Sequence, residues 1–223
     1  MHMAAGLLSP PVWMGAAAVS GAALAGSLAV AGRRLDDRKA PLMGVMGAFV
    51  FAAQMVNFPI PLVPGTSGHL GGGFLLGVLL GAPLAIIVMA SVLVVQALVF
   101  QDGGIDALGA NILVMGIIPG LLGAAVRRLW HEPAGALAGV CTFGGGLAAV
   151  LVGATLVIVF LWVSDNVAQK AGFWGALAAM DSIHLLIGIV EGAASVAVVR
   201  YVLRVRRDAV FAEPLVQQER AAA

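Results

Sequence analysis

Two long stretches without a formal charge constrain this chain more than any other feature: no Lys, Arg, Asp or Glu occurs in residues 1–32 or 40–101. Crossing the hydrocarbon core of a bilayer takes about 20 apolar residues in a helix, so each stretch is long enough for at least one crossing. The whole chain is 61% hydrophobic and 10% charged, whereas a soluble domain carries about 25% charged residues. A water-soluble fold of this size cannot hide so much apolar surface. The bilayer is therefore the solvent, and the expected fold is an all-α integral membrane protein, since helices satisfy their own backbone groups in hydrocarbon.

Cutting the apolar stretches at charges, prolines and glycine clusters predicts about seven spans, at 11–32, 41–58, 66–81, 82–100, 107–126, 134–163 and 175–203. The third and fourth meet at Gly81-Ala82-Pro83 with no charged loop between them, which allows a break or tilt there. One transmembrane domain over 1–205 and a short polar tail over 206–223 result. With the N-terminus outside, Arg33, Arg34, Arg38, Lys39, Arg127, Arg128, Arg200, Arg204, Arg206, Arg207 and Arg220 all fall on the cytoplasmic side, and only Lys170 lies outside. The opposite orientation would nearly invert the positive-inside rule. These cations read as topology anchors, so the net charge of +1 gives no reason to expect a nucleic-acid partner. The first ten residues lack the basic n-region of a cleaved signal peptide, so Met1 is expected to remain in the mature protein. The single cysteine, Cys141, rules out an intrachain disulfide and reads as a small buried residue. No phosphate-cradling G-x-x-x-x-G-K motif occurs, so any nucleotide hydrolysis belongs to another chain. Small residues recur every fourth position at Ala18, Ala22 and Gly26 and at Gly73, Gly77 and Gly81, which permits close helix contact, within the chain or with a partner.

The histidines carry the chemistry. The predicted topology puts His2, His69 and His184 near the outer side and His131 in a cytoplasmic loop, where it needs no special role. Polar groups at membrane depth are costly and are functional candidates by default, although a lone histidine in a bundle is more often a hydrogen-bonded packing residue. His2 is the sharpest signal. A histidine directly after the amino-terminal residue can offer one metal the free amine of Met1, its own amide nitrogen and its imidazole Nδ1, closing a five- and a six-membered chelate ring. Binding through the amide requires loss of its proton and favours a planar set of nitrogens, the geometry of Ni(II) or Cu(II). His69 is the candidate fourth nitrogen: it follows the flexible loop Pro64-Gly65-Thr66-Ser67-Gly68 on the same predicted side as Met1.

At this point the sequence closely resembles a known family. Met1-His2-Met3-Ala4-Ala5-Gly6-Leu7-Leu8-Ser9-Pro10, Phe51-Ala52-Ala53-Gln54-Met55-Val56-Asn57-Phe58-Pro59 with Gly65-Thr66-Ser67-Gly68-His69-Leu70, Asp102-Gly103-Gly104-Ile105-Asp106-Ala107-Leu108-Gly109-Ala110-Asn111, and His184-Leu185-Leu186-Ile187-Gly188-Ile189-Val190-Glu191-Gly192 are similar to the CbiM/NikM family. Those proteins are the membrane-embedded substrate-capture components of energy-coupling factor transporters for cobalt and nickel. The resemblance implies that the Met1 amine, the amide and imidazole of His2 and the imidazole of His69 hold Ni(II) or Co(II) as transported substrate. It also implies a transmembrane coupling (T) subunit, two ATPase (A) subunits and often a small accessory membrane subunit, in the cell (inner or plasma) membrane.

The family start usually carries an acidic residue where this chain has Ala5, so either attraction of the ion or only the shape of the turn before Gly6 is affected. His184 and Glu191, seven residues apart on one helix face, either touch the ion, support its ligands or bridge helices. Ser67, Asn57 and Asn111 are candidates for shaping the site, while Gln96 reads as a packing amide bonded to a neighbouring helix. Asp102, Asp106, Asp165 and Asp181, predicted on the outer side, either concentrate cations or are ordinary loop acids. Four nitrogens accept nickel and cobalt alike, and Ser9-Pro10-Pro11 leans toward the nickel branch by resemblance. A rival reading makes His69 and His184 axial ligands of one haem and needs no free amino terminus. A third makes the chain a membrane scaffold with packing histidines.

Overall fold

A computed structural model describes residues 1–35, 39–130, 132–133, 135–166, 172–206 and 210, apart from the side chains of Arg33 and Arg34. Arg38, His131, Lys170, Arg207, Arg220 and nearly all of the tail expected over 206–223 lie outside the described residues. Among the described residues eight α-helices dominate: α1 (Pro10–Arg34), α2 (Lys39–Met55), α3 (Gly73–Leu80), α4 (Ala82–Val95), α5 (Leu108–Ile112), α6 (Ile118–Arg128), α7 (Ala136–Val163) and α8 (Gly172–Val205). A wider π-helical turn at Gln96–Phe100 extends α4, and another at Leu113–Ile117 joins α5 to α6 as one rod.

Among the described residues five rods are long and apolar enough to cross a bilayer: Pro10–Gly32, Ala82–Phe100, Leu108–Arg128, Ala136–Val163 and Gly172–Val205. α2 is a sixth apolar helix, of 17 residues. The span predicted at 66–81 is different. Only Gly73–Leu80 is helical, and eight residues rise about 12 Å, less than half of the hydrocarbon thickness. Its first part is not helical: Ser67–Gly68 pair as a strand and Gly72 takes a positive φ of 78°. The half-helix survives because protein surrounds it: all eight residues of α3 are buried, the condition under which irregular backbone is tolerated at membrane depth. α3 and α4 meet at Gly81, whose φ of 80° turns the chain where the sequence suggested a break.

α3 packs chiefly on α6 and α4, α7 pairs with α8 along its length, and α1 lies against α4 and α5. Glycines set the closest approach. A Cβ on Gly73 would stand 1.9 Å from Met115 O, one on Gly77 2.3 Å from Gly120 O, and one on Gly123 2.2 Å from Phe74 O. The extended stretch ahead of α3 folds into a two-stranded antiparallel ribbon, β1 (Phe58–Pro59) and β2 (Ser67–Gly68), with Phe58 opposite Gly68 and Pro59 opposite Ser67. This ribbon receives the amino terminus.

Candidate metal centre

Residues 1–4 lie antiparallel to 65–67 like an added strand. Met3 bridges Thr66, the Ala4 N–H donates to Gly65 O at 2.9 Å and the Ser67 N–H to His2 O at 3.3 Å. On the other flank the Gly104 N–H donates to Met3 O at 2.8 Å. The Asn111 side chain grips the same residue twice, accepting from the Met3 N–H at 3.0 Å and donating to its carbonyl at 3.2 Å. Pairing of this kind is what buried backbone requires. The Met1 side chain fills a notch at Gly153 of α7, where a Cβ would come within 2.8 Å of Met1 Sδ. Met1, His2 and Met3 are 1%, 3% and 0% exposed.

The Met1 amine and the His69 imidazole face each other. The Met1 amine donates to Ser67 O and stands 2.8 Å from His69 Nε2. His69 Nδ1 is 2.8 Å from Leu70 O; a carbonyl can only accept, so Nδ1 carries the proton and the Nε2 lone pair faces the amine. The His2 ring packs on the His69 ring with centroids 4.6 Å apart. His2 Nδ1 is at ion-pair distance, 3.0 Å, from Asp102 Oδ1, and among the described residues neither ring nitrogen of His2 makes a well-formed hydrogen bond. Among the described residues the amides of Met3 and Ala4 donate while none of these hydrogen bonds comes from the His2 amide. Nor do three or more His, Cys, Asp or Glu side chains converge as a metal cage among the described residues. An ion held here would take backbone nitrogen as well.

Burial tunes these groups toward lone pairs. It lowers the pKa of the Met1 amine from 8.0 to about 4, against the opposing pull of Asp102. Burial also lowers His2, with the Met1 amine adding to the effect and Asp102 resisting it. His69 falls well below its ordinary value, by burial first and then by the neighbouring Met1 amine and His2. Burial pushes the Asp102 carboxyl up, but His2, the Met1 amine and Asn57 outweigh it and the carboxyl ends below its usual range. At neutral pH the three nitrogen groups are therefore uncharged bases, the form that binds metal.

The other predicted residues surround this cluster. Asn57 donates to Asp102 Oδ2 at 2.9 Å and so acts on His2 through Asp102, while the buried Ser67 hydroxyl has no partner. Glu191 accepts from the Gly71 N–H at 2.9 Å and the Gly72 N–H at 2.7 Å, fixing the loop that carries His69 rather than touching the cluster. His184 is wholly buried, with Nδ1 2.8 Å from Met180 O and Nε2 without a partner among the described residues. Ala5 lies exposed on the turn closed by Gly6, whose N–H donates to Asp106 Oδ2 at 2.8 Å. The haem reading fits poorly: no porphyrin enters between His69 Nε2 and an amine 2.8 Å away. Sequence reasoning undervalued two residues, Asp102 and Gln96. Asp102 stands next to Gly103-Gly104, and a Cβ on Gly103 would lie 3.7 Å from the His2 ring; that close approach was the available signal.

A multi-pass helical bundle that turns nitrogen lone pairs into one enclosed polar centre belongs with the membrane transporters of transition metals. Residues 2–209 match the family model described as the CbiM cobalt uptake substrate-specific transmembrane region. A protein of Haloquadratum walsbyi whose name assigns it to metal transport is 38% identical over 219 residues, covering 96% of this chain and 94% of its own. A protein of Archaeoglobus fulgidus named as a fused nickel transport protein, NikMN, is 37% identical over 193 residues, 82% of this chain and 61% of its own. The crystal structure of a truncated transition metal transporter superposes with a TM-score of 0.82 at 31% identity, covering 92% of this chain and 99% of that one. The chain belongs to the CbiM family of cobalt and nickel transport membrane components.

Proposed function

We propose that the chain is the substrate-capture component of an energy-coupling factor importer and holds Ni(II) or Co(II) through the Met1 amine, the His2 amide and Nδ1, and His69 Nε2. One distance carries the reading. Two nitrogens at right angles on an ion with bonds of about 2.0 Å stand about 2.8 Å apart, and Met1 N and His69 Nε2 are 2.8 Å apart. In a planar complex the order amine, amide, Nδ1, Nε2 makes those two neighbours. The ion would replace the contact between them with little movement of either group, while the His2 ring turns its Nδ1 away from Asp102.

The transmembrane domain extends over 1–205, with the amino terminus and the metal centre outside and the tail over 206–223 in the cytoplasm of a cell (inner or plasma) membrane, as the distribution of Arg and Lys favours. Ni(II) or Co(II) is cargo, and the chain performs no catalysis of its own. The power stroke belongs to partners, a transmembrane coupling subunit with two ATPases and a small accessory membrane subunit; that a relative exists as a fused NikMN protein supports a multi-component assembly.

The test is nickel binding to detergent-purified protein whose amino terminus is verified by mass as free Met1, beside a variant with one alanine inserted between Met1 and His2. About one ion per chain with a diamagnetic square-planar spectrum, lost on insertion, is the expected result. Equal binding by both proteins refutes the amino-terminal chelate.

A further inference from the structure

Among the described residues the buried side-chain amides make at least one hydrogen bond each, with one exception, although Gln54 Oε1 is also left without a partner. Gln54 donates to Gly71 O at 2.6 Å, and Asn111 makes both of its bonds to Met3. Gln96 is 0% exposed, yet neither its Nε2 nor its Oε1 has a hydrogen-bond partner among the described residues. The expectation that it bonds a neighbouring helix is therefore not met. It opens the π-helical turn Gln96–Phe100, and its carbonyl accepts the Asp102 N–H at 3.1 Å, so its backbone and the acid beside His2 are tied together. Its side chain favours the protonated form of the His2 ring, whose Nε2 is likewise buried and without a partner among the described residues. Two adjacent polar groups without partners in an apolar interior cost stability, and such exceptions call for a functional account.

A ligating imidazole is oriented by an acceptor for the proton on its other nitrogen. If Nδ1 of His2 takes the ion, Nε2 carries that proton. In the ion-free protein one oxygen of Asp102 is held by Asn57 and the other lies against Nδ1, whereas Gln96 Oε1 is uncommitted. We infer that Gln96 is a positioning residue of the metal centre, its Oε1 accepting the Nε2–H of His2 when nickel or cobalt is bound. The inference rests on the chelate proposed above. It accounts for a buried amide that makes no well-formed hydrogen bond in the ion-free protein.

Gln96→Met keeps the shape and removes the acceptor, and Gln96→Glu keeps an oxygen at the same place. With authentic Met1 in detergent, each is titrated with nickel, its visible spectrum recorded, and its melting followed with and without the ion. Expected for Gln96→Met are a metal-free melting temperature at or above wild type, nickel affinity lowered roughly ten- to hundredfold, and a smaller stabilisation by nickel. Gln96→Glu is expected to recover most of the affinity. Wild-type affinity in Gln96→Met overturns the inference. So does a loss of affinity that accompanies a lowered metal-free melting temperature in both variants, the mark of a packing residue. A wild-type protein without the square-planar band overturns the chelate itself, and this inference with it.

Discussion

The contact between α3 and α6 and the bed of the amino-terminal segment are both closely packed, and they are closed differently. Between the helices, Gly73, Gly77 and Gly123 bring backbone against backbone, and an added Cβ would sit 1.9 to 2.3 Å from a carbonyl oxygen. Nothing but the lack of side chains makes that approach possible. Residues 1–3 are no more than 3% exposed, but hydrogen bonds hold them, from Asn111, Gly104 and the loop at 65–67. A steric seam holds as a whole or fails as a whole. A hydrogen-bonded bed can exchange partners one at a time, and a centre that must take up and release an ion needs that freedom.

The largest effect should come from filling the seam. Gly77→Leu puts a side chain into the carbonyl of Gly120, 2.3 Å from the new Cβ, and should cost about 4 kcal/mol or more, enough to lose the folded state. Detergent-solubilised yield and the melting temperature by size exclusion report it. A variant that folds and melts like wild type would show that the helices can separate, removing the contrast.

Breaking one bond in the bed should be milder and more selective. Asn111→Leu removes the acceptor of the Met3 N–H, while Met3 O keeps Gly104. One buried donor is orphaned, at about 1–3 kcal/mol. Because the loss falls on the segment that presents Met1 and His2, nickel affinity should fall roughly tenfold or more, with the bundle's melting temperature changed much less than by Gly77→Leu. Equal loss of fold in both variants would mean that bed and seam unfold as one unit.

How far each region was legible in the sequence follows the same division. The membrane class was plain from residues 1–32 and 40–101, because the cost of burying charge acts locally along the chain. Met1 and His2 could be proposed as a chelate from residue type and adjacency, and His69 beside them from its loop and predicted side of the membrane. The half-helix α3 was not read from the sequence: the glycines at 71–73 mark a break ahead of it, but only the packing around Gly73–Leu80 lets so short a helix stand at membrane depth. Nor could spacing separate the stripe at Gly73 and Gly77 from that at Ala18, Ala22 and Gly26, since four-residue periodicity says which residues share a face and not what the face meets. Asp102 and Gln96 escaped proper weight because their partner, His2, is brought to them by tertiary structure alone.

Protons distinguish the bed further. The folded pKa of the Met1 amine is about 4 against 8.0 for an ordinary one, and His2 and His69 are also lowered. Between pH 8 and 4 the unfolded chain thus binds more protons than the folded one, and the metal-free protein should lose stability steadily as pH falls through that window. Nickel binding at pH 7 should release about one proton, from the His2 amide, because the amine is already neutral. Calorimetry in buffers of different ionisation enthalpy counts it. Release of two would mean that the amine is protonated and its bed wetter than its burial indicates.

The smallest effect is expected on α1, and it sharpens the contrast from the other side. Gly26 belongs to a small-residue stripe like that of α3, but a Cβ there meets nothing within 4 Å, and Ala18 and Ala22 are exposed as well. Leucine favours helix and suits an apolar surroundings. Gly26→Leu in the isolated chain should therefore change stability by no more than about 0.5 kcal/mol and leave nickel binding intact, where the same replacement at Gly77 abolishes the fold. Melting and nickel titration of the two variants side by side decide it. A clear destabilisation by Gly26→Leu would show that α1 makes a close contact within this chain through its stripe, and that the two stripes do the same work after all.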